Sequence, residues 1–456
     1  MRKSTIASIA SLCMVPALFW SQDSSAVPAF ARKYQTSCYT CHSGFPNRNA
    51  FGEAFKNNGY RWPGGEEEDH AKQEQTKMGA DGWKQTFPET PWPSDIPGFA
   101  PFALYLTGPI VNYADVQKDN TGAITTKSST GIKQNQTLNW GGPVDARILF
   151  GGTIGDNIGI VGALEGISTG TTTTNVRAVW SFAPGVNLSF GNSGFSAWGG
   201  LATPNSSYTA VFPSAGVGPE FNYVIGKEGG LNIIAGLSGN QNAPNGTVTT
   251  DTATTTITTT TGDTETATTK IKTVTATNLT PDNKLDDYRY IRVKYKLFGA
   301  GLLSGAGGTY GNEYVGLDNS LAIGASLLSA RAGMLTYGGG AETLVYGVDI
   351  AGNYGSFTGG VAYSKDKDLS LNNYAVDAGY YVYPWLLARV KYTNLGVVGV
   401  DQNNPSLTPS LTAWLRANVF LQASYATFTK NLAPSTAATT GVNNQNTFKL
   451  TAGLAF

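Results

Sequence analysis

The sequence predicts an all-β chain: a transmembrane antiparallel β-barrel of about 16 strands behind a small N-terminal α-helical domain. Three observations carry that expectation. Apolar and polar residues alternate with period two over runs of about ten residues, repeatedly, from Phe99 to the end of the chain. Past the N-terminus no segment reaches the ~18 consecutive apolar residues that a spanning helix needs, so any membrane crossing must use strands. Charged residues make up only 14% of the chain, with 56 glycines and an aromatic share of 11%; roughly 25% charge is usual in soluble domains.

The elements follow in order. Residues 1–26 read as a signal peptide. Arg2 and Lys3 form its positive start, Ile6 to Trp20 its apolar stretch, and Ser24-Ser25-Ala26 its small-residue cleavage site, with Ala29-Phe30-Ala31 as the alternative site. Of three cysteines, Cys13 falls within this leader. The exported chain then keeps Cys38 and Cys41 alone and has no disulfide framework. The formal net charge is zero, so nothing points to nucleic acid or another polyanion as partner.

Residues 27–86 form a small domain around Cys38-Tyr39-Thr40-Cys41-His42, the attachment pattern for c-type haem. Two thiols at this spacing can add to the two vinyl groups of one porphyrin, and the histidine that follows stands below the iron as proximal ligand. A thioredoxin-type pair would need a βαβ context, which is not visible nearby. A zinc site would need four close ligands, and the chain has two histidines in all. Asn49 suits an N-cap and Gly59 a C′ residue, predicting a helix of about nine residues between them. Phe51 and Phe55 lie four apart on one face. They would pack either on the macrocycle edge or against a barrel wall. For the sixth iron position the candidates are Met78 and His70, Met78 slightly preferred; His70, beside the acidic run 66–69, also reads as a surface histidine. A weak or open position is the third option.

Residues 87–98, with Pro88, Pro91, Pro93 and Pro97, predict a stiff extended tether. Residues 99–456 predict the barrel. Ile291, Val293, Tyr295 and Leu297 oppose Arg292, Lys294 and Lys296. Tyr374, Val376, Ala378, Tyr380 and Val382 oppose Asp377 and Gly379. After a turn at Pro384, Leu386, Ala388, Val390 and Tyr392 oppose Arg389, Lys391 and Thr393. The last run sets Phe448, Leu450, Ala452, Leu454 and Phe456 against Lys449, Thr451 and Gly453. At ~22 residues per strand and loop this length gives about 16 strands, an even number that returns both ends to one side. Such a barrel encloses an aqueous lumen, wide enough for a small domain as a plug. Short turns such as Gly155-Asp156-Asn157 alternate with long polar loops. The longest loop, Thr-rich from Thr247 to Thr277, has Gly262-Asp263 as a candidate hairpin turn. The inward-facing cations, with Arg147 among them, either meet haem propionates or the 66–69 run, or cross-brace the lumen. A Ser/His/Asp arrangement has no histidine to use.

The run Ala29-Phe30-Ala31-Arg32-Lys33-Tyr34, the Cys-x-x-Cys-His motif, Phe45-Pro46, Asn49-Ala50-Phe51-Gly52 and Phe55-Lys56-Asn57-Asn58-Gly59-Tyr60 resembles the fused monohaem cytochrome c–outer-membrane porin family. That family includes the outer-membrane iron-oxidising cytochromes. Its motifs cover about thirty residues; beyond them the likeness is architectural, the C-terminal Phe456 included. The resemblance implies one covalent haem c on Cys38, Cys41 and His42, in a plug inside an outer-membrane barrel. It implies electron transfer between an extracellular partner such as Fe(II) and a periplasmic c-type cytochrome or other carrier, with membrane lipid around the wall. The alternative expectation is a solute porin whose haem-bearing plug gates or senses.

Overall fold

The computed structural model describes residues 28–44, 47–64, 70–72, 75–76, 96–97, 101–115, 137–141, 144–167, 173–192, 211–212, 216–239, 247–258, 264–275, 287–305, 316–330, 343–367, 372–397, 400–416, 418–428 and 446–456. The leader, Met78, the acidic run 66–69 and most of the linker lie outside them. Ile96–Pro97, at the linker's end, pairs antiparallel with Gln75–Thr76.

Strands β1 (Phe102–Ala114), β2 (in two segments, Thr137–Trp140 and Asp145–Ile154), β3 (Ile158–Glu165), β4 (Thr173–Ala183), β5 (Val186–Asn192), β6 (Val217–Ile225), β7 (Glu228–Ser238) and β8 (Tyr288–Ala300) form half the wall. The other half is β9 (Ser320–Ala330), β10 (Thr343–Tyr354), β11 (Phe357–Asp366), β12 (Asn372–Tyr383), β13 (Leu386–Val397), β14 (Val400–Arg416), β15 (Val419–Phe428) and β16 (Thr447–Ala455). Each pairs antiparallel with its sequence neighbour, and β16 closes onto β1. Both segments of β2 pair with β1, one with Val111–Ala114 and one with Phe102–Thr107. They are one stave interrupted at the Gly-Gly-Pro run 141–143. The result is a closed 16-strand barrel, as the alternation predicts.

The alternation sorts side chains between lipid and lumen. Along β12, Tyr374, Val376, Tyr380 and Val382 are exposed on the outer face, while Asp377 and Tyr381 are buried inside. Along β8, Ile291, Val293, Tyr295 and Leu297 face outward, and Arg292 and Lys294 are buried. Exposed aromatics gather near one rim: Phe102, Phe182, Phe298, Tyr354, Phe357, Tyr383, Trp385 and Phe456. Tyr346, Tyr374, Tyr425 and Phe448 mark the other rim. Tyr374 and Tyr383 are nine residues apart on one strand, roughly 30 Å at ~3.4 Å per residue. A strand tilt of 35–45° reduces that to roughly 23 Å, close to the ~25 Å apolar band of an outer-membrane barrel.

The two rims differ in their connections. On one side the turns are short, as at 155–157, 184–185, 226–227, 355–356 and 384–385. The other carries the long loops, including a separate hairpin in which Thr247–Thr258 pairs with Thr264–Thr275 around residues 259–263. The exception on the turn side is the longer connection after β8, of which residues 301–305 and 316–319 are described. Both barrel ends, Phe102 and Phe456, lie on this side, where Leu104 and Phe456 exchange backbone hydrogen bonds.

Candidate functional site

The N-terminal segment folds as two short helices around the Cys-x-x-Cys-His turn. Helix α1 spans Pro28–Tyr34 and α2 spans Ala50–Asn57. The predicted helix is therefore present, one residue shorter than expected, with Asn49 as N-cap and Gly59 following at φ +73°. Ala29-Phe30-Ala31, the alternative cleavage site, lies within α1 and is buried.

Residues Cys38–Thr40 make one 3₁₀ turn, opened by Ser37 as cap. The Cys41 amide donates to the Cys38 carbonyl at 3.2 Å, which puts both cysteines on one turn with His42 directly behind. His42 and Arg48 face each other in a two-stranded pair, His42–Gly44 with Asn47–Arg48. Asn49 ties the turn to α2. Its side-chain oxygen accepts from the Gly52 amide at 2.9 Å, while its Nδ2 donates to the carbonyls of Tyr39 and Thr40 at 2.9 and 3.1 Å. Its own amide donates to the Cys41 carbonyl at 3.0 Å. Gly52 is required by this packing, since a Cβ there would sit 2.1 Å from the Cys41 carbonyl oxygen. The sequence marks Asn49 as a cap; its hold on the motif's carbonyls becomes visible only in three dimensions.

Cys38 is fully buried against Ala31 of α1, and neither Cys38 nor Cys41 is in a disulfide. Burial pushes the Cys38 thiol up to about 12, and burial together with its Cys38 neighbour does the same to Cys41. Both are neutral thiols at physiological pH. Two free thiols on one turn, followed by a histidine, are the donor set that c-type haem attachment requires, so the residues present fit that group. Among the described residues no three His, Cys, Asp or Glu side chains group to hold a metal ion.

Phe55 is buried with Phe30, Tyr34 and Tyr60 against Val161 of β3 and Val179 of β4. Its ring meets Phe30 edge-on at 5.0 Å. Of the two packing expectations for Phe55, this is the wall. Phe51 meets Trp62 at 4.9 Å. His70 stacks on that indole, at 5.0 Å with an interplanar angle of 17°. The structure thus gathers Phe51, His70 and Tyr34 around Trp62, a cluster the sequence did not single out.

The described residues of this segment sit inside the turn-side half of the barrel and touch the wall around its circumference. Lys33 donates to Thr153 of β2, Arg32 to the Phe102 carbonyl of β1, and Arg61 to the Asp156 carbonyl in the β2–β3 turn. Asn187 of β5 donates to the Asn57 carbonyl at 2.8 Å. Gly159 of β3 lies so close that a Cβ would fall 1.8 Å from the Gly59 carbonyl oxygen. Opposite, Tyr381 of β12 contacts Ser43 at 3.2 Å between hydroxyls, and Trp414 of β14 lies against Gly44. Residues 301–305, just after β8, lie against α2: Asn57 and Asn58 donate to the carbonyls of Leu302 and Leu303 at 2.8 and 2.6 Å. Asn57-Asn58 therefore acts as the docking edge of the plug.

One charge contact joins plug and wall deep inside. Lys294 of β8 donates to Glu53 at 2.7 Å, with both side chains 4% exposed. Arg48 and Lys56 flank the other Glu53 oxygen at 3.5 and 4.0 Å. Burial would raise the Glu53 carboxyl, but the pull of Lys294, Lys56 and Arg48 overrides it and holds the group well below the usual carboxylate range. The remaining inward cations brace the wall. Arg292 binds Asp349 at 2.7 and 3.0 Å and Ser326 at 2.8 Å. Lys296 meets Asp318, Arg389 meets Asp377, and Arg147 meets Asp145 and Glu165. Arg177 pairs with Glu220, which also accepts from the Tyr290 hydroxyl at 2.9 Å. Arg147, Arg177, Arg292, Lys296 and Arg389 thus cross-brace the wall.

No family model matches the chain, and no curated protein matches its sequence. Solved porin structures resemble it, three of which illustrate the likeness. The anion-selective porin from Comamonas acidovorans aligns with 78% of this chain and 98% of its own, at 13% identity and a TM-score of 0.43. A triple mutant of the Rhodopseudomonas blastica porin aligns with 78% and 99%, at 10% and 0.42. Salmonella typhi OmpF in complex with daunomycin aligns with 80% and 98%, at 11% and 0.41. The barrel assignment itself rests on this chain's own strand pairing, which closes at β16 and β1.

Proposed function

We propose that this chain is an outer-membrane barrel of the porin type whose N-terminal plug carries one covalent haem c, and that it passes electrons across the membrane. The observation that supports this most directly is the placement of Cys38, Cys41 and His42. They sit on a plug held within the lumen by contacts to β1, β2, β3, β4, β5, β8, β12 and β14. A barrel wall is an insulator about 25 Å tall. When bound, the haem supplies a one-electron iron couple inside that wall. Cys38 and Cys41 would hold the porphyrin, His42 would ligate the iron, and Asn49 with Gly52 would fix the turn. The turn-side rim, which holds both barrel ends, is then periplasmic and faces a c-type cytochrome or other carrier. The long loops face an extracellular partner such as Fe(II).

The fold by itself supports a second reading better than it supports electron transfer. A barrel with an internal plug suffices for a solute porin that the plug gates or senses through, and needs no redox chemistry. What favours the conduit is the Cys-x-x-Cys-His turn and its free thiols. A haem stain of the denatured protein decides whether the group is attached; Cys38→Ala with Cys41→Ala should lose the stain. Liposomes holding a sealed electron acceptor, with Fe(II) outside, then test the function. Reduction of the enclosed acceptor is the expected result. A stained protein that leaves the acceptor oxidised would return the assignment to the gated porin.

A further inference from the structure

The motif at residues 38–42 is held from two sides. Its thiol-bearing turn is fixed within the plug, by the Asn49 bonds to the carbonyls of Tyr39, Thr40 and Cys41. The two residues after His42 are fixed by the barrel. The Tyr381 hydroxyl of β12 donates to the Ser43 hydroxyl at 3.2 Å, and Ser43 donates in turn to the Asn47 carbonyl at 3.5 Å. Gly44 lies on the indole of Trp414 from β14, where a Cβ would fall 2.4 Å from ring carbon Cε2. Gly44 also adopts φ +153°, a conformation that glycine alone takes without strain. Tyr381 and Trp414 are 2% and 4% exposed, and their rings stack at 6.2 Å with an interplanar angle of 20°. Leu317, Leu387 and Phe420 share their buried cluster. His42, itself buried, stands opposite Arg48 in the short strand pair. It therefore lies between the bonds of the plug and an aromatic platform of the wall.

We infer that Tyr381 and Trp414 are positioning residues for His42: the barrel wall, together with the plug, sets how the imidazole is presented to a haem on Cys38 and Cys41. The inference rests on the haem reading of the plug and deepens it. A metal ligand keeps its geometry only when the groups that carry it are themselves locked by packing and hydrogen bonds. Planar peptide bonds and a fixed 3.8 Å step between Cα atoms make residues 43 and 44 move residue 42 with them. Covalent attachment needs only the two thiols on their turn, and that turn makes its bonds within the plug. Ligation needs the strand that follows, and that strand leans on β12 and β14. The two requirements therefore separate: Asn49 acts on attachment, and the wall pair acts on ligation.

The test uses the full-length, haem-loaded protein in detergent and reads the iron itself. Tyr381→Phe, Ser43→Ala and Trp414→Leu should each keep the haem stain at the wild-type level. Each should also shift the midpoint potential and split the iron's paramagnetic resonance spectrum into more than one species. Tyr381→Phe keeps the ring stack, so its effect isolates the hydroxyl. Combined with Ser43→Ala it should add nothing, since both changes remove the same bond. Val179→Ala is the control for loose docking, because Val179 packs on Phe55 and Gly59 at the opposite seam. It should raise amide exchange of the plug while potential and spectrum stay at wild type. The inference is overturned if Tyr381→Phe and Trp414→Leu leave both readouts unchanged, or if Val179→Ala moves them as far. A wild-type chain that takes no haem stain would instead overturn the haem reading, and this inference with it.

Discussion

The two ends of the lumen are closed by different physics. At the turn side the closure is polar and cross-linked. The plug meets the wall through Asn57, Asn58, Asn187, Lys33, Arg61 and the Glu53–Lys294 pair, with apolar seams at Val161, Val179 and Trp414. At the loop side the contact among the described residues is apolar. Val211 and Phe212, from the loop after β5, fold in against Ile234, Tyr288, Tyr290, Leu328 and Val345, anchored where the Ser364 hydroxyl donates to the Val211 carbonyl. Between them lie the Arg177–Glu220–Tyr290 and Arg292–Asp349 groups. A polar closure of many directional bonds holds an orientation, whereas apolar packing constrains position without fixing direction.

Four changes probe that contrast. Glu53→Ala leaves Lys294 buried without its acid, and should cost the plug's docking about 3–5 kcal/mol; amide exchange of the plug reads it, and adding Lys294→Met should recover most of the loss. Phe212→Ala empties the loop-side cluster and should cost about 3 kcal/mol locally, raising probe access to the loop-side lumen while plug exchange stays unchanged. If plug exchange rises as well, the two closures are coupled rather than separate. Asn49→Ala removes a cap and two donors to the motif's carbonyls, worth about 1–2 kcal/mol; the yield of covalent haem, read by stain, should fall with barrel assembly intact. The smallest effect is with pH. Lys56 is lowered from 10.5 to about 7, so above that value the unfolded plug binds more protons than the docked one. Docking stability should therefore rise as pH climbs from about 7 toward 10.5. Lys56→Met should flatten that rise.

How far the sequence revealed these regions follows from how local their signals are. Strands β8 and β12 were readable because lipid and lumen demand opposite residues at alternate positions, so Ile291 and Arg292 announce their faces by themselves. The turn Cys38–His42 was readable because its chemistry requires fixed spacing, and Asn49 and Gly59 mark α2 by capping chemistry. The candidate turn Gly262-Asp263 lies outside the described residues, while the Thr-rich runs on either side of it do pair. Nothing local pairs Glu53 with Lys294, 241 residues apart. Nothing near Leu302 distinguishes a connection that covers a plug from an ordinary loop, and Phe212 in its Gly- and Ser-rich surroundings looks like any loop aromatic. Phe55 was legible as an apolar face but not as the one that faces the wall.

Planar-bilayer conductance tests the central claim, that the N-terminal domain fills the lumen, most directly. Full-length protein should pass little current. A chain lacking residues 27–86 should conduct about as a 16-strand porin does, since such barrels enclose an aqueous channel. Equal, porin-sized conductance from both would contradict the plugged barrel.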